Sequence, residues 1–209
     1  MDMAAHMLWV GAALVALSRR TKVPGGAAQP TEAGARDRRV DRRLVGVILV
    51  FAVLPDLVHL LPVFAWSLTG GGWGGLQAYV TALPGQEPDM PSWAEQGAHH
   101  LHCLFHSGLV LLAIHLVLLL LWRYGGHRRG RPVHLPWPLA LPIWAWWSHV
   151  LIDVVTHSDD FYPSPVLYPI TYAGLDGVAW NRTDFMLLNY LALGLTWAWL
   201  FRPWRKRPR

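Results

Sequence analysis

The sequence predicts an all-α fold: a polytopic transmembrane helical bundle of about five spans, forming one membrane domain over residues 1–209. Three observations predict it. The chain carries five long apolar stretches, its hydrophobic share is 53%, and its basic residues fall in short clusters between those stretches. That share exceeds what an ordinary soluble domain carries, and the mean hydropathy is +0.26.

The stretches run Met3–Ser18, Leu44–Trp66, His99–Arg123, Pro136–His157 and Asp184–Phe201. A helix needs about 20 apolar residues to cross the hydrocarbon, within a range of about 17–25. The first stretch is therefore short and belongs partly at the interface or behind neighbouring helices. Met1–Ser18 has no Lys or Arg, so the positive region of a cleaved signal peptide is missing and a first transmembrane helix is expected. Pro55, Pro62 and Pro142 fall inside stretches, which membrane helices tolerate.

The intervening segments set the orientation. Arg19–Arg43 holds eight Lys or Arg, Arg123–Arg131 four, and the tail from Arg202 five. In a five-span topology these 17 share one side, and Arg182 alone lies opposite. Lys and Arg mark the cytoplasmic side, so the N-terminus is expected outside and the C-terminus in the cytoplasm. Residues 19–43 read as a flexible basic cytoplasmic loop, and residues 67–98, with the run Gly70–Gly75, as an outer loop. The basic balance, with a pI near 9.8, thus orients the chain and does not point to nucleic acid. Cys103 is the only cysteine, which excludes an intrachain disulfide and a thiolate metal cluster.

Ionisable residues inside spans are costly and mark function by default. Here they recur at helical spacing. Asp56 and His59 are three apart, His102 and His106 four apart, and His149, Asp153 and His157 follow at successive intervals of four. Residues three or four apart share a helix face, so each helix offers donors in one direction. His6 adds one from the first span. At about 1.5 Å per residue, His6, Asp56, His59, His149 and Asp153 lie roughly 18–25 Å above the inner edges of their spans. His102 and His106 lie roughly 5 and 10 Å below the outer edge, so all seven fall in one outer-half layer. His115 misses it by more than two turns and serves as an internal control.

Imidazole and carboxylate are the usual nitrogen and oxygen donors for Zn²⁺ and related ions. The candidate metal ligands are His6, Asp56, His59, His102, His106, His149 and Asp153, with Asp56 and Asp153 the candidate catalytic bases or orienters. A His/Asp set without Cys suits a catalytic site, in which an open position lowers the pKa of water to about 7. One divalent ion with supporting Asp residues, or two ions, fits the donor count. His157, with Asp159 and Asp160, fits a helix cap as well as a ligand. His127 and His134 fall on the cytoplasmic side, and Cys103 is expected to serve packing. The Trp residues, Trp144, Trp146 and Trp147 among them, fit an interfacial aromatic belt.

The order of these motifs resembles the bacterial membrane-bound metal-dependent hydrolase family, including its LexA-regulated inner-membrane members. The matching stretches are Ala5-His6, Leu54-Pro55-Asp56-Leu57-Val58-His59, His102-Cys103-Leu104-Phe105-His106-Ser107 and Ser148-His149-Val150-Leu151-Ile152-Asp153, followed by Tyr168-Pro169. Two departures stand out. Val58 replaces the second Asp of the family's L-P-D-x-D-H. The third motif lacks the Arg-Gly of H-R-G-x-T-H-S, and its first His is displaced by one residue to His102, with His99 and His100 available to compensate. The resemblance implies hydrolysis. An outward site near the headgroups suggests a lipid or lipid-linked ester or phosphoester as substrate. The alternatives are a metal-ion or proton transporter and a non-catalytic membrane scaffold. Transport needs polar residues through the inner half, which offers His115, Asn189 and scattered hydroxyls.

Overall fold

A computed structural model describes residues 2–20, 42–82, 86–124, 135–159 and 163–202. Most of the expected basic loop over residues 19–43, His127, His134, Asp160 and the tail beyond Arg202 lie outside these. The regular structure described is helical: α1 (Met3–Arg20), α2 (Arg42–Trp66), a π-helical turn (Ser67–Gly71), α3 (Gly72–Thr81), α4 (Ser92–Phe105), α5 (Gly108–Tyr124), α6 (Trp137–Thr156) and α7 (Thr183–Phe201).

Among the described residues, three helical stretches, Arg42–Thr81, α6 and α7, are long and apolar enough to cross a membrane, and a fourth is added if α4 and α5 form one broken span. The expected count of about five therefore narrows to three or four by length and composition. Two features account for the difference. The first helix is apolar but short. The stretch expected as one span over 99–123 begins earlier, at Ser92, and bends by 61° between α4 and α5.

The expected loop over 67–98 is also largely helical. Glycine in a helix interior costs about 1 kcal/mol relative to alanine, yet the chain continues as helix from α2 through the glycine run into α3. The Trp66 indole lies over this run, supplying the contact that glycine lacks. Gly72 then adopts φ +61°, a left-handed conformation that glycine reaches without the Cβ penalty. Tyr79 and Val80 of α3 consequently line one cavity with Asp56 and His59 of α2.

Small residues let the helices approach closely. Buried Val10, Ile48, Ala52 and Ala145 join α1, α2 and α6. Ala5 and Leu193, with Trp9, Ile152 and Trp197, join α1, α6 and α7. Leu111, Trp146 and Val150 pack with Phe51 and Phe105 to hold α2, α4, α5 and α6 together. By contrast α7 turns Leu187, Leu188, Leu191 and Leu195 outward, a contiguous apolar face of the kind that calls for a nonaqueous neighbour.

The break between α4 and α5 is held by specific bonds. The Trp146 indole donates to Phe105 O at 2.9 Å. Ser107 Oγ lies 2.7 Å from Tyr168 O and 3.2 Å from Val166 O, and accepts from Val110 N at 3.1 Å. Backbone groups released by the break thus find partners within the protein, as buried backbone must. Residues 177–180 seal the far end of α6, where Gly177 N, Val178 N and Trp180 N donate to His157 O, Val155 O and Thr156 O. Gly177 fits this turn because a Cβ there would lie 2.6 Å from both His157 O and Val155 O.

Candidate metal centre

Asp153 sits on the inward face of α6 one turn beyond His149, and both side chains are buried. Their spacing of four places His149 Nε2 3.0 Å from Asp153 Oδ2. His106, the residue at the C-terminal end of α4, reaches the same point: its Nε2 is 3.3 Å from Asp153 Oδ2 and 3.2 Å from His149 Nε2. Asp56 of α2 closes the group, with Oδ1 at 3.4 Å from His106 Nε2 and 3.6 Å from His149 Nε2. One ligand atom from each of these four residues lies within 4.8 Å of all the others.

Backbone bonds fix the aim of both imidazoles. His106 Nδ1 donates to His102 O at 2.9 Å, and His149 Nδ1 donates to Ala52 O at 2.7 Å. Pro55 lies within one turn of Ala52, and a proline removes a helical donor and loosens the carbonyls of the preceding turn. With Nδ1 donating, a neutral ring presents its Nε2 lone pair. Two such lone pairs would therefore face each other and two carboxylates, an arrangement that calls for positive charge at its centre.

Five of the six donor separations are 3.0–3.6 Å, and the two carboxylates lie within 4.8 Å of each other, spacings close to those around a single metal ion. Metal–ligand bonds of about 2.0–2.1 Å imply tetrahedron edges of about 3.3–3.4 Å. The donor set is also chemically suitable, with two nitrogens and two carboxylate oxygens. These four residues could hold a metal ion.

The other candidate residues lie around this core. His6 Nε2 is 3.0 Å from Asp153 Oδ1, the oxygen turned away from His106 and His149, and the His6 ring stacks on His149 at 3.8 Å. This is the position of a partner that orients a ligand carboxylate. His102 stacks on His106 at 4.0 Å and meets His59 edge to face at 5.5 Å. His59 and His102 thus extend the cluster outward along the wall of a cavity of ≈ 710 Å³. Asp56 is the member of the four that also lines this cavity, and its side chain is 17% exposed, against 1% for Asp153.

His157 both ends α6 and adjoins the cluster, with Nδ1 donating to Asp153 O at 3.0 Å and lying 3.7 Å from Asp153 Oδ1. His99 lines the cavity and has its Nε2 3.7 Å from Cys103 Sγ, while His100 is exposed. His115 stays apart and accepts from the Trp147 indole at 3.3 Å. Sequence reasoning missed the two orienting carbonyls, Ala52 O and His102 O, because every residue has a carbonyl and only the fold selects which are open. Pro55 was the one local pointer to an exposed carbonyl nearby.

Comparison with protein-family models, characterised proteins and solved structures finds no match to this chain.

Proposed function

We propose that this chain is a bacterial inner-membrane protein of the membrane-bound metal-dependent hydrolase kind. In this reading His106, His149 and Asp153 hold a divalent ion, zinc by the chemistry of its donors, and Asp56 stands beside its open position. The chain cleaves an ester or phosphoester of a lipid or lipid-linked substrate that reaches the cluster through the adjoining cavity. The observation that carries the reading is the convergence of four donor atoms, all within 4.8 Å of one another and five of their six separations at 3.0–3.6 Å, from helices in three parts of the chain. The outward leucines of α7 support the membrane setting, and the one-sided distribution of Lys and Arg supports an outside N-terminus with about five membrane-inserted segments.

A bound ion would supply Lewis acidity and lower the pKa of water. The protein's own groups divide the remaining work. His106 and His149 are aimed by their Nδ1 bonds, and His6 holds Asp153 by its outer oxygen. Asp56, at the cavity wall, is positioned to take the proton of an attacking water. Buried Asp153 is the anchor.

Metal analysis of the purified protein tests the reading. Wild type should carry about one zinc per chain, and the His149→Ala/Asp153→Ala variant about none. Equal and negligible metal in both would remove the site. Metal binding without turnover across a panel of lipid esters and phosphoesters, together with ion flux in liposomes, would replace hydrolysis with transport.

A further inference from the structure

The helix that follows α2 is turned back beside it. At about 1.5 Å per residue the 25 residues of α2 measure about 37 Å, which already exceeds a hydrocarbon core of about 30 Å. Unbent, the helical stretch would carry Val80 about 32 Å beyond His59. Instead Val80 and His59 line one cavity. The π-helical turn and the left-handed Gly72 change the direction of the chain. The Trp66 ring fills the inside of the bend, where a Cβ on Gly71 or Gly75 would lie 2.6 or 2.8 Å from it. Thus α3 stays beside the Trp66 end of α2, the outer end on the reading above.

The surface of α3 is apolar and open. Between His59 and Glu87 the sequence holds no Asp, Glu, Lys, Arg or His. Trp73, Gln77 and Val80 share one helix face by their spacing and are exposed, Trp73 by 76% and Val80 by 57%. Leu68, in the preceding turn, is exposed by 73%. Leu76 and Tyr79 are half-buried, and Tyr79 lines the cavity together with Val80. Val80 therefore belongs both to the open face and to the cavity wall. An uncharged helix with an outward Trp suits the headgroup zone, where Trp and Tyr are enriched. Its continuity with a membrane-crossing α2 keeps it at that level.

We propose that α3 lies in the outer leaflet at the boundary between headgroups and acyl chains, with Leu68, Trp73 and Val80 seated in lipid, and that the cavity opens there, at Val80. A lipid of that leaflet meets the cavity sideways. Its head enters toward His59, His99, His102 and His157, which line the cavity, while its chains stay in the bilayer. This rests on the membrane reading above and gives the route by which a lipid substrate enters.

The test uses the full chain with Cys103→Ala, so that one nitroxide can be attached at each introduced cysteine, in nanodiscs of phosphatidylcholine. Labels on Leu68→Cys, Trp73→Cys and Val80→Cys should collide with oxygen more than with an aqueous nickel chelate, at depths of about 5–10 Å into the boundary. A label on Asp89→Cys, at an exposed position, should favour nickel. Leu191→Cys, on the outward face of α7, should favour oxygen most strongly and reports the membrane setting itself. Lipid at Leu191→Cys with water at the three α3-side labels overturns the proposal and leaves the membrane reading standing. Water at all four removes both. Leu68→Cys and Trp73→Cys labels shielded from both reagents would mean a second copy of the chain holds this face, and would overturn the proposal as well. Water at Val80→Cys alone overturns the sideways opening.

Discussion

His149 donates its Nδ1 proton to the carbonyl of Ala52 at 2.7 Å, across 97 residues of chain. That bond joins α6 to α2 at the His/Asp cluster and turns Nε2 toward Asp56, His106 and Asp153. Removing this ring should therefore abolish ion retention. His149→Ala is expected to weaken zinc binding more than 100-fold, beyond the 10–100-fold typical of losing a supporting partner. His115→Ala, which loses only a bond from Trp147, should leave zinc content unchanged. Metal content of the two variants, measured side by side, checks both.

His6 contacts Asp153 by the oxygen that faces away from His106 and His149. His6→Ala should retain the stoichiometry of wild type and lower affinity by about 10–100-fold. Competition against a chromophoric chelator reads this directly, and an affinity equal to wild type would show that His6 does not orient the carboxylate.

The helical spacing of His149 and Asp153 was legible in the sequence, and the structure brings the pair together as an i,i+4 contact. The pairs Asp56/His59 and His102/His106 were equally legible as shared faces. Spacing, however, fixes a direction around the helix axis and not the distance from the bundle centre. Only Asp56 and His106 therefore enter the four-atom group, while His59 and His102 stand further along the cavity. The break after His106 was not legible, because it is held by Ser107, Trp146 and the 166–168 backbone, groups distant in sequence. The glycine run was misread as loop because local propensity omits the covering Trp66 ring.

Ser107 is fully buried at that break and bonds α5 and the 166–168 backbone. Ser107→Ala leaves Tyr168 O and Val110 N without this partner, a loss of about 1–3 kcal/mol for unsatisfied buried groups. A lower thermal midpoint is expected, with the metal stoichiometry kept in the protein that stays folded. An unchanged midpoint would mean the hydroxyl is dispensable.

Gly177→Ala places a methyl against His157 O and Val155 O, and relief requires the 177–180 strap to move off α6. Overpacking of this kind costs about 1–3 kcal/mol. The strap's neighbour His157 touches Asp153, so zinc affinity should fall together with the thermal midpoint. Thermal scans with and without zinc separate the two effects, since saturating ligand at about 100 times Kd adds about 2.7 kcal/mol to a protein that still binds.

The bond between His6 and Asp153 spans 147 residues. At about 5–20 residues per second of synthesis, roughly 7–30 s separate the two side chains as they leave the ribosome. Asp56 and His106 are in place well before His149 and Asp153 arrive to complete their charge balance. On the proposed reading, ion capture therefore waits for α6, and a chain truncated before it carries half a site.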